Sequence, residues 1–345
     1  MAEFRACKVV SSLPGTLVAN TLYLVRIGTG FRPYVTNNSG TIIAYPLDPP
    51  AWSELTGKPA FGNASLANAS ALQCGRLTLT SGAAITVGDV TGASTIYFTP
   101  WRGNTLSFYD GSDFVPYTFA ELSRSISGLT SGKNYDVFGY VSGGSPVFDL
   151  VAWTNDTTRA TAVVLSGHGI WVNNAACTGV MSGASIPQYR GTLLGTIRTT
   201  GTNTTADAYT QRFVANAINP VPKLIYRAEG TAHTYSSSTP RGWNNTNQTI
   251  EWVQSLAQWP VTLQLTGAII PPGAGTVGAR IAIGSSASNQ IVGIDAGFGV
   301  NPFQAGTSLP LDPGIGNRIY YVTESGTGSG SSSFFVYVIH GQVWV

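Results

Sequence analysis

Tyr135-Asp-Val-Phe-Gly-Tyr-Val-Ser-Gly-Gly-Ser-Pro-Val-Phe-Asp-Leu-Val-Ala-Trp153 decides the fold. Two runs of β-branched and aromatic residues flank Gly143-Gly144, and a glycine pair between such runs marks a turn between strands. The same pattern recurs on both sides. Thr95–Thr99, Thr105–Tyr109, Thr161–Leu165, Gly191–Ile197 and Thr249–Val253 read as strands. So do Val261–Leu265, Ala279–Ile283, Arg318–Val322 and Phe334–Ile339, many of them roughly 8–15 residues apart, near the spacing of all-β domains. Helix is scarce. Thr118–Ile126, with Glu121 three residues after Thr118, reads as a short capped helix, and residues 208–218 fit either type.

Working outward gives three regions. Residues 1–48 form a small β-hairpin unit from the runs Thr21–Ile27, Phe31–Thr36 and Thr41–Tyr45, with a turn at Asn37-Asn-Ser-Gly40. Residues 49–94 read as a Pro-, Ala-, Asn- and Gly-rich connector or shaft. Residues 95–345 read as one large antiparallel β-sandwich, jelly-roll-like.

Composition excludes several classes. Only 10% of the residues are charged, against about a quarter in ordinary domains. The lysines are Lys8, Lys58, Lys133 and Lys223, and the net charge is +2, so there is no electrostatic footprint for nucleic acid. No apolar stretch is long enough for membrane insertion. A content of 43% hydrophobic and 11% aromatic residues is not that of a disordered chain. Glycine, 41 residues, keeps no collagen period. Met1-Ala-Glu-Phe-Arg5 lacks a signal-peptide core, which points to synthesis in a cytoplasm. Cys7, Cys74 and Cys177 are too far apart for a zinc ribbon and read as free thiols.

The search for chemistry returns little. His168, His233 and His340 show no metal-ligand spacing, and His168 sits in a Gly-flanked turn. Gly143-Gly-Ser-Pro-Val147 and Gly183-Ala-Ser-Ile-Pro187 each miss the last glycine of a nucleophile elbow. Asp110 and Asp113 are the closest carboxylate pair considered, and flank a turn that favours Asp for its own backbone bonding. No catalytic residue, cofactor or metal site is assigned. Aromatic rings beside Asn, Thr and Arg suit sugars, which stack an apolar face and hydrogen-bond at the rim. The glycan-contact candidates are therefore Trp101, Tyr109 and, in Arg241-Gly-Trp-Asn-Asn-Thr-Asn247, Trp243, Asn244 and Asn245.

Leu22-Tyr-Leu-Val-Arg-Ile-Gly-Thr-Gly-Phe31, with Tyr34-Val-Thr-Asn37 and Ser39-Gly-Thr41, resembles the N-terminal unit of tailed-bacteriophage fibre proteins. Trp52-Ser-Glu-Leu-Thr-Gly-Lys-Pro59 is similar to a connector common in phage fibres. Thr95–Trp101, Tyr109-Asp-Gly111, Tyr135-Asp-Val-Phe138, Trp153–Ala160, Tyr189-Arg-Gly191 and Gly195–Thr199 resemble a β domain of phage and prophage structural proteins. The resemblance thins after about residue 260. It implies a virion fibre or spike subunit, on head, collar or tail: a homotrimer, bound to capsid, collar or tail proteins by its N-terminal unit. The distal β domain would then face host cell-surface polysaccharide. A fibre-borne polysaccharide depolymerase and a non-phage lectin are the alternatives. In a trimer, the sparse charges are expected on the outer face, with subunit contacts nearly free of them.

Overall fold

The computed structural model describes residues 6–44, 73–270, 279–296, 305–311, 314–326 and 331–345. The chain is all-β. Among the described residues the one helical element is a 3-10 turn at Trp243–Asn245. Two compact units are formed, Met1–Ala64 and Ser65–Val345.

In the first unit, Thr21–Ile27, Gly30–Thr36 and Ile42–Ala44 form the antiparallel strands that alternation predicts. Ala6–Val10, not anticipated as a strand, adds to Thr21–Ile27 in parallel. Burial alternates along Thr21–Val25, so Thr21, Tyr23 and Val25 face inward. The core is thin, and polar contacts supplement it. Tyr23 Oη accepts from Val18 N at 2.7 Å, and Thr36 Oγ1 accepts from Thr21 N at 2.9 Å. Val9, Ile27, Phe31 and Ile43 remain exposed.

The larger unit begins before residue 95. Arg76–Thr78 pairs with Thr95–Thr99, and Val90–Ala93 pairs with Thr204–Ala208. Residues 73–94, assigned above to the connector, are therefore ladder strands and turns of this unit. Residues 49–72, including Trp52–Pro59, lie outside the described residues. The expected helix is absent: Leu122–Ser125 is a strand on Thr95–Thr99. Glu121, which resembled a capping partner, instead accepts from Ser81 Oγ, Gly82 N and Thr99 Oγ1 on neighbouring segments. Tertiary hydrogen bonding has overridden a local capping signal. Residues 211–212 and 214–216 resolve the ambiguous stretch as short strands.

The opening hairpin forms as read, Asn134–Ser142 against Ser145–Ala152, with Gly143 and Gly144 both at positive φ. Thr192–Gly201 pairs beside it. This sheet has apolar contacts on both faces. Val137, Leu150 and Leu194 face one core, with Leu77, Phe98 and Phe108; Phe138, Val151 and Leu193 face another, with Cys177 and Ile186. Further along, two sheets stack as a sandwich. Thr249–Gln254, Gly316–Gly326 and Ala279–Ser286 form one side, and Pro222–Glu229, Ser332–Trp344 and Val261–Ile270 the other. Ile250, Trp252, Ile281 and Val322 meet Ile225, Leu263, Leu265 and Ile339 between them.

Some of the sparse charge lies inside the fold. Arg76, Asp136, Asp149, Arg198, Asp207, Arg212 and Glu324 are all buried within the single chain. The reason is visible in their partners. Arg76 donates to Ala84 O at 3.1 Å, to Val345 O at 2.8 Å and to Asn219 O. Arg212 donates to Leu224 O and pairs with Asp207, which also holds Lys223. Asp149 accepts from Leu150 N, Met181 N and Ser182 N. Arg76, Arg212 and Asp149 thus satisfy backbone atoms, while Asp136, Arg198, Asp207 and Glu324 are held by side-chain partners. Replacing Arg76 by Leu takes the guanidinium donor from the half-buried Ala84 and Asn219 carbonyls and leaves Val345 O with Val221 N alone. The expected loss is about 3 kcal/mol of stability, read from the midpoint of urea denaturation against wild type.

Candidate functional site

Tyr109 ends the strand Thr105–Tyr109, which turns into Phe114–Thr118. Asp110 makes that turn. Its Oδ1 accepts from Ser112 N at 2.8 Å and Asp113 N at 2.9 Å, and its own N–H donates to Asp113 O. Tyr109 Oη donates to Gly111 O at 2.8 Å, which fixes the ring over the turn. Gly111 has a φ of +106°, and a Cβ there would collide with the Arg190 guanidinium lying across it. The positive φ is what calls for glycine; the end of the Arg190 side chain could move aside for a Cβ.

Arg190 arrives from a second turn, Pro187–Arg190, closed by Arg190 N donating to Pro187 O at 3.1 Å. Asn173, fully buried, organises this turn. Its Nδ2 donates to Pro187 O at 2.8 Å and Ala175 O at 2.8 Å, and its Oδ1 accepts from Gly191 N at 2.7 Å. Asn173 O accepts from Tyr189 N as well. Tyr189 is held at a φ of +66°, a left-handed conformation that costs a non-glycine residue about 1–2 kcal/mol. Such outliers persist where surrounding bonds over-determine them.

Between the two turns lies a recess of about 460 Å³, within the ~300–1,000 Å³ of small-molecule sites. Tyr109, Tyr117 and Tyr140 supply ring surface, Ser142 and Ser185 supply hydroxyls, and Asp110 and Arg190 supply opposite charges. Arg190 Nη1 donates to Tyr109 O at 3.4 Å, and its guanidinium sits 5.9 Å from the Tyr109 ring centre. The backbone N–H groups of Asp113 and Ser112 hold the Asp110 carboxyl below the ordinary carboxylate range, with Arg190 adding to this. Asp110 is thus an anion at neutral pH and a poor proton donor. Its Oδ2 is unpartnered among the described residues. The recess offers an acceptor, a fork of donors and aromatic faces, which suits vicinal hydroxyls on a ring.

Of the sequence candidates, Tyr109 alone lines this recess. Trp101 stands apart, its ring covered by the Arg102 guanidinium at 4.1 Å and approached by Arg76 at 5.6 Å. Trp243 is corrected from contact residue to core residue. It is fully buried, edge-on to His233, Phe334 and Tyr337 at 4.9, 5.7 and 5.0 Å, and presents no face to a ligand. Asn244 and Asn245 are exposed but occupy left-handed turn positions, φ 50° and 58°, beside neither aromatic face of Trp243 that a sugar would need. The segment reads as a polar loop because Asn and Thr surround the Trp, whereas the 3-10 turn drives the indole inward. Arg190, Tyr117 and Tyr140 were missed. The usable signal was present in Tyr109-Asp-Gly111 and Tyr189-Arg-Gly191, which meet here, but nothing local joins segments so far apart.

No known family's sequence profile matches this chain, and no curated protein matches it. Among solved structures, VP2 of infectious bursal disease virus has a TM-score of 0.27 at 10% identity, over 79% of this chain and 73% of that one. Latent PorU of Porphyromonas gingivalis has 0.25 at 9% identity, over 62% of this chain. This chain spans about a quarter, 24%, of that PorU chain. BuGH86, in complex with neoagarooctaose, has 0.20 at 8%, over 72% of this chain and 33% of that one. Similarity at this level fixes neither topology nor activity.

The Asn173 hydrogen bonds make a direct stability prediction. Asn173→Ala leaves buried backbone groups unpaired and releases the Tyr189 conformation, for a loss of about 2–3 kcal/mol. Thermal denaturation, together with faster amide exchange at Tyr189 and Gly191, checks it.

Proposed function

We propose that this chain is a bacteriophage virion fibre or spike subunit that contacts host surface saccharide through the recess at Tyr109 and Arg190. The observation that carries the reading is the recess itself. It combines tyrosine faces with an unpartnered carboxylate oxygen and a guanidinium, set by two rigid turns. The two fibre-like segments, Tyr109-Asp-Gly111 and Tyr189-Arg-Gly191, are the segments that build it. Binding rather than cleavage fits the recess, because glycoside hydrolysis calls for two facing carboxyl groups and Asp110 is the acid that lines this one.

The remaining parts of the reading have their own supports. The N-terminal unit exposes Val9, Ile27, Phe31 and Ile43 on a small fold, as a segment seated on a particle protein would. The outer face of the Pro222–Glu229, Ser332–Trp344 and Val261–Ile270 sheet presents Leu224, Tyr226, Val338, His340, Gln264 and Trp344, without charge among its described residues. This is the surface we assign to subunit contact in a homotrimer.

Three measurements test this. Mass spectrometry of purified virions finds the chain as a structural component; its absence overturns the reading. In solution, light scattering after size exclusion gives the mass of a trimer, and Val338→Asp gives the monomer. A wild-type monomer removes the subunit contact. For the recess, Tyr109→Ala is expected to weaken saccharide binding at least ~10-fold, the scale of removing a buried aromatic contact, measured by titration calorimetry on host polysaccharide.

A further inference from the structure

Beside the polar recess is a second one, of about 330 Å³, with a different chemistry. Tyr109, Phe114, Val164, Leu165 and Tyr189 form its walls. Its lining contains no Asp, Glu, Lys or Arg. Besides the Tyr109 and Tyr189 hydroxyls, its polar groups come from the hairpin turn Ser166–Ile170, which carries His168. The His168 ring lies 5.1 Å from Phe114, and its Nε2 is 3.8 Å from Asp113 Oδ1, which places the half-exposed imidazole at the rim.

The two recesses are built together. Tyr109 lines both. The consecutive residues Tyr189 and Arg190 divide between them, Tyr189 to the apolar recess and Arg190 to the polar one. The left-handed backbone at Tyr189 accompanies this division, and it is the conformation Asn173 enforces. Backbone strain is therefore located where two differently lined recesses share a wall.

We propose that the apolar recess is a second subsite of the saccharide site, selective for a sugar unit bearing an acetyl group. This inference rests on the saccharide reading of the polar recess. Two adjoining recesses on either side of a tyrosine fit consecutive units of one chain better than two unrelated ligands. A plain hexose presents hydroxyls all round its rim and would desolvate them against Val164 and Leu165 without compensation. An acetamido or O-acetyl unit brings a methyl for Val164, Leu165 and Phe114, and a carbonyl that can accept from the His168 ring. With no Lys or Arg in the lining and the Asp113 carboxylate at the rim, the recess disfavours a carboxylated or phosphorylated unit.

Ligand-observed saturation-transfer NMR on the full chain tests the assignment, with N-acetylglucosamine and N-acetylgalactosamine beside glucose and galactose. The acetyl methyl is expected to receive the strongest saturation, and the N-acetyl sugars to bind about 10-fold more tightly than the parent hexoses, the low end of what a hydrophobic pocket gains from a small apolar group. Leu165 is 48% exposed, so Leu165→Asn and the milder Val164→Ser should leave the fold intact. Both should abolish the methyl preference while ring-proton saturation persists. Equal binding of acetylated and plain sugars, or a methyl signal unchanged in both variants, overturns the subsite and leaves the polar recess standing. No saturation from any of the four sugars overturns both readings.

Discussion

A fold made of many short strands multiplies strand ends, and each end leaves backbone N–H and C=O groups that no ladder pairs. In the interior those groups have no water to turn to, and an unpaired one costs about 1–3 kcal/mol. This chain meets the constraint with its charged side chains. The guanidiniums of Arg76, Arg124 and Arg212 fork onto carbonyls, and Asp149 collects amides from a loop. A long, multidonor side chain reaches across a gap that a strand cannot bridge. At Arg76, Arg212 and Asp149, buried charge is used where the backbone needs it.

How much of this is written locally follows from the same distinction. Strands whose apolar residues alternate, such as Thr21–Ile27, are legible because burial has a period of two. Gly143-Gly144 is legible because both turn positions take positive φ. What lies beyond local reading is set by partners distant in sequence. Glu121 reads as a helix cap until Ser81 and Thr99 claim its carboxylate. Arg76–Thr78 reads as a connector until Thr95–Thr99 pairs with it and Asn216 Oδ1 accepts from Leu77 N at 2.6 Å. Trp243 reads as a loop aromatic until the opposing sheet supplies Phe334 and Tyr337. Of the site, Tyr109 was visible as an aromatic at a strand end. Arg190 was not, since its role depends on a glycine contact from another hairpin.

The recesses take their character from turns on a rigid sheet rather than from long loops. Asp110 and Asn173 fix the two turns through hydrogen bonds to their own neighbourhoods, so the tyrosine and guanidinium positions are set before any ligand arrives. Pre-organisation of this kind lowers the ordering cost of association. It matters most for a ligand whose individual contacts are weak.

The Arg76 hydrogen bond to Val345 has a consequence for how the polypeptide is made. The partners are 269 residues apart, and Val345 also exchanges backbone hydrogen bonds with Val221. During synthesis, which proceeds at about 5–20 residues per second, the early strands leave the ribosome with a guanidinium whose final acceptor has not yet been made. The first core can collapse around Leu77 and Phe98, but Arg76 lacks Val345 O until the strand Ser332–Trp344 docks. Closure of so long a loop is a late event in any folding order. The strand Ser332–Trp344 and Val345 thus close the larger unit late: until they dock, Arg76 has its Ala84 and Asn219 acceptors but not Val345 O.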